Sequence, residues 1–135
     1  MFSLVIDQGN TLAKVYLFDQ ATCVEQFSSE NLTLRELGLF LVHKQFDAAI
    51  IAGVKALDEE IIHFISNMCR TLILNADTEL PIHNAYQSPA TLGSDRLAAA
   101  CAAAKLFPQK NCLIIDAGTC VTYDFIDAEH NYLGG

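Results

Sequence analysis

Two stretches of the chain, LVIDQGNTLAKVYLFD at 4–19 and LIIDAGTCVTYDFID at 113–127, carry one pattern. An apolar strand-forming run meets Asp, any residue and Gly, with a Thr close by, and a second strand-forming run then ends in an acid. One such turn is adequately explained as hairpin chemistry, because tight turns recruit small polar residues. Turn residues have no reason to recur together with their flanks, so the second copy points to a repeated supersecondary unit. The chain is therefore expected to hold one half-domain followed by the start of another.

Between the copies, periodicity fills in the first half. Residues 2–7, 13–19 and 22–28 are short β-prone runs separated by polar turn formers, which predicts an antiparallel meander. Thr33 and Glu36 form a T-x-x-E capping box, and Leu37, Phe40, Leu41 and Lys44 follow at helical spacing, which predicts a helix over 33–45. DAAIIAG at 47–53 reads as a buried strand, Asp58 opens a second helix with Ile61, Ile62, Ile65, Met68 and Cys69 on one face, and TLILN at 71–75 reads as another buried strand. The long polar connection at 76–93 is of a length that is usually functional or disordered, and its Ile82, Tyr86 and Leu92 favour function. SDRLAAACAAAKLF is a helix with Ser94 or Asp95 at its start and Pro108 just beyond its end. Its six alanines call for a close neighbour, either a sheet or the same helix of a second subunit.

Three strands followed by alternating helix and strand is the order of a ribonuclease H-like half-domain, an α/β unit with a mixed sheet and helices on its faces. This assigns 1–110 to a first ribonuclease H-like domain and 111–135 to the beginning of a second, incomplete one. A sheet begun and left unfinished exposes an edge, so the chain reads as a fragment of a longer protein.

With 135 residues, 52% of them hydrophobic, the chain affords one domain's worth of core. Its net charge of −8 and lack of any Lys/Arg cluster argue against nucleic acid or an anionic membrane as partner. The five cysteines show no metal or redox spacing and read as small apolar residues in a reducing cytosol. No signal peptide is visible, since Asp7 interrupts the first apolar run, and no run approaches membrane-spanning length. His43 and His63 read as surface or cap residues rather than ligands.

Two D-x-G hairpins suit the phosphates of a nucleotide. Gly9 and Gly118 let the backbone approach a ligand closely and aim N–H groups at its oxygens. Asn10, Thr11 and Thr119 add side-chain donors. The strand-end carboxylates of Asp7 and Asp116 would repel phosphate directly, so they are best understood as holding Mg²⁺ or its waters. Lys14 is either a point charge for a phosphate or an exposed strand lysine.

Three elements in order, D-Q-G-N-T-x-x-K at 7–14, N-A-Y-x-x-P-x-x-L-G-S-D-R at 84–96 and D-A-G-T-C-V-T-Y-D at 116–124, resemble type III pantothenate kinase, within the superfamily of acetate and sugar kinases, actin and heat-shock ATPases. The trailing Gly134-Gly135 resembles the start of that family's next glycine-rich motif. The resemblance implies ATP-dependent phosphorylation of pantothenate, the first step toward coenzyme A, in a cytoplasmic homodimer using Mg²⁺ and a monovalent cation, potassium or ammonium. It places Asp7, Gly9, Asn10, Thr11 and Lys14 at the Mg²⁺-ATP phosphates, and Gly118 and Thr119 in a second phosphate loop. Asp95 becomes the general base for the pantothenate hydroxyl, its charge stabilised by the helix dipole. Tyr86, Gly93 and Arg96 line the pantothenate pocket, and Asp124 binds the monovalent cation.

Other readings stay open at this point. Asp95 can simply cap its helix, Arg96 solvate it, Tyr86 anchor a loop and Asp124 end a strand. A non-catalytic ligand-binding or regulatory protein on the same fold is the alternative function, although intact Asp7, Asp95, Arg96 and Asp116 favour an enzyme. A sugar or acetate kinase is disfavoured by the compact first half and the G-S-D-R element. The 135 residues alone are expected to show little or no activity.

Overall fold

Alternation of apolar residues decides which face of the first sheet is buried. The computed structural model describes residues 1–53, 58–118 and 120–135. In it β1 (Phe2–Gln8), β2 (Ala13–Asp19) and β3 (Thr22–Ser29) form the expected antiparallel meander. β4 (Ala48–Gly53) joins β1 in parallel and β5 (Arg70–Ile73) joins β4 in parallel, giving the order β3-β2-β1-β4-β5. The register sets Ile6 between Val15 and Ile51, and Leu4 between Leu17 and Ala49. These side chains share one face because successive strand residues alternate. Helices α1 (Leu34–Leu41) and α2 (Glu59–Met68) contribute Leu37, Leu41, Ile61 and Ile65 to the same core. Full burial of each such aliphatic side chain stabilises the unit by about 1.5–3 kcal/mol.

The capping box of α1 is present. Thr33 Oγ1 accepts the Glu36 N–H at 3.2 Å, and Glu36 Oε2 accepts the Thr33 N–H at 2.9 Å. The helix ends at Leu41, short of the predicted 45, because Val42 leaves helical geometry and His43 turns at a φ of 61°. Asp58 caps α2, its Oδ1 accepting the Glu60 N–H at 2.9 Å. Met68 is exposed, unlike the rest of the predicted apolar face. β5 is an edge strand with Leu72 and Ile73 exposed, so the burial expected for 71–75 is reached only at Leu74.

This first compact unit ends at Leu74 and a second runs from Asn75 to Gly135. Within 76–93, expected as a long connection, β6 (His83–Asn84) pairs in parallel with β9 (Asn131–Gly134), and a 3₁₀ turn at Pro89–Thr91 precedes α3 (Ser94–Leu106). β7 (Cys112–Ala117), β8 (Val121–Ile126) and β9 are antiparallel, in the order β6-β9-β8-β7. The alanines of α3 meet a sheet: Leu97, Ala100, Ala103 and Ala104 pack with Ile82, Leu92, Ile126 and Tyr132. This packing divides the chain at 74/75, whereas the repeat alone gives a boundary at 110/111. The other face of the sheet carries Leu113 and Ile115, 63% and 58% exposed.

All five cysteines are free thiols. Cys69, Cys101 and Cys112 pack against the cores, while Cys23 and Cys120 are exposed and so are not core residues. Burial pushes the Cys101 thiol up. Among the described residues no helix is long and apolar enough to cross a membrane.

Candidate active site

Each unit contains one D-x-G hairpin. Between β1 and β2, the Gly9 N–H donates to Leu12 O at 3.0 Å. A Cβ on Gly9 would stand 2.9 Å from that oxygen, so a side chain there forces the turn open. Lys14 lies directly across the ladder from Asp7, and cross-strand partners share a face. That face is opposite the one covered by α1 and α2. Asp7 is half-buried, and Asn10, Thr11 and Lys14 are exposed at the mouth of the hairpin.

Between β7 and β8, the Gly118 N–H donates to Cys120 O at 3.0 Å. Here an added Cβ would make only an ordinary 3.9 Å contact, so the second turn is less demanding of glycine. Thr119 lies outside the described residues. Asp116 faces Thr122, and Ile114 faces Asp124. Alternation therefore puts Asp116 and Asp124 on one face of the sheet, the face carrying α3.

Asp124 is 2% exposed, and its carboxylate is fully engaged. Arg96 Nε donates to both of its oxygens at 3.0 Å, and Nη2 donates to Oδ1 at 2.5 Å. The Tyr132 hydroxyl donates to the same Oδ1 at 2.5 Å. Burying a carboxylate in an apolar layer costs several kcal/mol unless charge and hydrogen bonds compensate, and a planar guanidinium fork supplies both. The Asp124 bond holds the Arg96 guanidinium above its ordinary value. Burial first, and the Asp124 bond second, push the Tyr132 phenol up. Among the described residues no buried side-chain nitrogen or oxygen lacks a partner.

Tyr86 closes the cluster from the segment before α3. Its ring lies under the Arg96 guanidinium, 5.5 Å from centroid to Cζ, and tilts against Tyr132 with centroids 6.2 Å apart. Gly134 makes room for this ring. It has φ +78°, and a Cβ there would overlap Cδ2 and stand 2.5 Å from Cε2 of Tyr86. The next carbonyl, Gly135 O, accepts from Arg96 Nη2 at 3.4 Å.

α3 starts at Ser94, as expected, and Gly93 just before it is the N-cap, its carbonyl accepting the N–H groups of Arg96 and Leu97 at 3.2 and 3.4 Å. Asp95 sits exposed in the first turn, with Oδ1 accepting the Arg96 N–H at 2.9 Å. The second unit thus brings Tyr86, Gly93, Asp95, Arg96 and Asp124 to one end of α3. Asp7, Gly9, Asn10, Thr11 and Lys14 form a separate group in the first unit. Tyr132 is not among the residues the sequence points to; its one signal is that a tyrosine in an apolar strand needs a partner for its hydroxyl.

Asp124 does not fit the cation role that the resemblance implies. Both oxygens already accept from Arg96, and the adjoining guanidinium repels a second cation. Among the described residues no group of three or more His, Cys, Asp and Glu is arranged to hold a metal ion. Asp7 and Asp116 supply hard carboxylate oxygens at the ends of their strands, the donor chemistry that fits Mg²⁺.

These features define a mixed α/β protein of two units, each with an acid-led hairpin. The fold is shared with a putative 2-dehydro-3-deoxygalactonokinase from Sinorhizobium meliloti, at TM-score 0.57 and 11% identity over 98% of this chain and 51% of that one. Residues 3–135 match the sequence profile of the type III pantothenate kinase family. Proteins of that name from Phocaeicola vulgatus and Flavobacterium psychrophilum are 44% and 36% identical over 98% of this chain. The chain belongs to the type III pantothenate kinase family. It spans about half the length of these curated relatives, 55% and 56% respectively.

Proposed function

We propose that the complete protein transfers the γ-phosphoryl group of ATP to the primary hydroxyl of pantothenate, forming phosphopantothenate on the way to coenzyme A. The observation that carries this reading is the convergence at the first turn of α3, where an exposed carboxylate, Asp95, stands beside an arginine locked in place. Phosphoryl transfer depends mainly on positioning and charge stabilisation, so one placed carboxylate suffices to orient and deprotonate an alcohol. Asp95 is free for this task because Gly93 caps the helix. Its Oδ1 is tethered to the Arg96 N–H, which orients the carboxylate, and Oδ2 takes the proton of the attacking hydroxyl. Tyr86, Gly93 and Arg96 line the pantothenate pocket.

Gly9, Asn10, Thr11 and Lys14 receive the ATP phosphates in the first unit, and Gly118 and Thr119 serve the second phosphate loop. Asp7 in the first unit and Asp116 in the second would each bind Mg²⁺ or its waters, the metal supplying charge neutralisation at the phosphates. The monovalent cation, potassium or ammonium, takes ligands other than Asp124. The protein acts as a cytoplasmic homodimer.

We also read the chain as a duplication, 1–110 followed by the opening of a second ribonuclease H-like copy at 111–135. Register supports this: Leu113, Ile115, Tyr123 and Phe125 occupy the places that Leu4, Ile6, Val15 and Leu17 hold in the first copy. In the first copy α1 and α2 cover those positions; in the second, Leu113, Ile115 and Tyr123 are exposed.

The test is a coupled assay on the complete protein with ATP, Mg²⁺ and potassium. Pantothenate-dependent ADP release with formation of phosphopantothenate is expected. ATP binding without turnover would favour the non-catalytic alternative, and turnover with sugars or acetate instead would replace the substrate assignment.

A further inference from the structure

The clamp on Arg96 fixes more than an ion pair requires. An arginine in the first turn of α3 sits at the positive end of the helix dipole, an adverse place for a cation. Three groups hold it there. Asp124 binds one edge of the guanidinium through Nε and Nη2, Gly135 O takes Nη2 again, and the Tyr86 ring covers one face. Tyr132 in turn fixes Asp124 through Oδ1. An edge, a face and a carbonyl determine the plane of the guanidinium, and the edge bearing Nη1 is the one that Asp124 and Gly135 leave unengaged.

We propose that Asp124 is a positioning residue for Arg96, setting the guanidinium in advance for the anionic acceptor substrate instead of holding the monovalent cation, with Tyr132 as its second anchor. The proposal rests on the pantothenate reading above. Pantothenate carries one carboxylate, and a guanidinium whose rotamer is settled before binding offers its Nη1 donors with less ordering left to do. Without Asp124, the long side chain is free to swing away from its place at the end of α3. The loss then falls on pantothenate binding, whereas loss of a cation ligand would fall on the potassium requirement.

Steady-state kinetics of the complete protein, with pantothenate varied at saturating ATP and Mg²⁺ over a series of potassium concentrations, separates these roles. Asp124→Asn keeps the shape but removes the charge, and the expected result is a KM for pantothenate raised about tenfold or more. The potassium concentration for half-maximal rate should stay at the wild-type value. Arg96→Met should raise KM at least as much, and the double variant should be no worse than Arg96→Met, because Asp124 acts through Arg96. Tyr132→Phe leaves the ion pair and removes one anchor, so it should raise KM less and in the same direction. It decides the matter if Asp124→Asn fails to fold. A raised potassium requirement with unchanged pantothenate KM, multiplicative losses in the double variant, or a wild-type KM in Tyr132→Phe when Asp124→Asn is unfolded would overturn the proposal. A wild-type protein that leaves pantothenate unphosphorylated overturns the parent reading and this one together; an active wild type with any of those three results overturns this one alone.

Discussion

Replacing Gly134 by Ala tests whether the aromatic wall of the site depends on one missing Cβ. Two costs add at this position. A φ of +78° is left-handed backbone, which disfavours an L side chain by about 1–2 kcal/mol. The new methyl would also overlap the Tyr86 ring, 2.5 Å from Cε2 where ordinary contact begins at 3.4 Å, and forced overpacking of this kind costs about 1–3 kcal/mol. The expected loss is therefore about 2–5 kcal/mol, read by urea unfolding of the complete protein with an unchanged m value. Because the displaced ring lies under Arg96, KM for pantothenate should rise as well. Tyr86→Ala combined with Gly134→Ala removes the overlap and leaves the backbone cost, so the two substitutions should be non-additive by about 1–3 kcal/mol. A Gly134→Ala loss below about 0.5 kcal/mol, or strict additivity in the pair, would refute the packing reasoning.

Two further outcomes concern the units themselves. Thr33→Ala removes the hydroxyl half of the α1 capping box, leaves the bond from the residue 33 N–H to Glu36, and should cost about 1 kcal/mol. Separately, bonds from the Thr33 hydroxyl and N–H hold the Glu36 carboxyl below its ordinary value, so whatever stability those bonds add is present above the unfolded-state value and lost as pH falls through the native one. Nuclear magnetic resonance titration should find that Thr33→Ala moves the Glu36 midpoint upward; an unmoved midpoint would remove Thr33 as the cause. Residues 1–135 alone should bind a hydrophobic dye more strongly than the complete protein, through the face bearing Leu113 and Ile115, and should turn over little or no pantothenate. Equal dye binding would mean that the rest of the chain leaves this face bare.

Local chemistry was legible in the sequence where a few adjacent residues decide the outcome. T-x-x-E at 33–36 names a helix start because both capping bonds are local. The alternation of Leu4, Ile6, Val15 and Leu17 names a half-buried meander for the same reason. Burial of a strand depends instead on what lies against it, so LIID at 113–116 and LVID at 4–7 read alike while Leu113 and Ile115 are exposed where Leu4 and Ile6 are buried. The end of α1 is not legible because Val42 and His43 carry no breaker signal, yet the chain turns there. The Arg96–Asp124 pair joins residues 28 apart in sequence, one at a helix start and one in a strand. A strand-end acid looks the same whether it meets a cation or a guanidinium. Gly134 was visible as part of a glycine pair, but its reason, the ring of Tyr86, lies in a distant segment.

The most direct measurement is the rate of phosphate transfer from ATP to pantothenate by the complete protein and by its Asp95→Asn variant, with folding of both checked by circular dichroism. An isosteric amide cannot accept the hydroxyl proton, so kcat is expected to fall by about 10²–10⁴ with KM for ATP little changed. A folded Asp95→Asn protein that keeps its wild-type kcat would contradict the assignment of the general base at the first turn of α3.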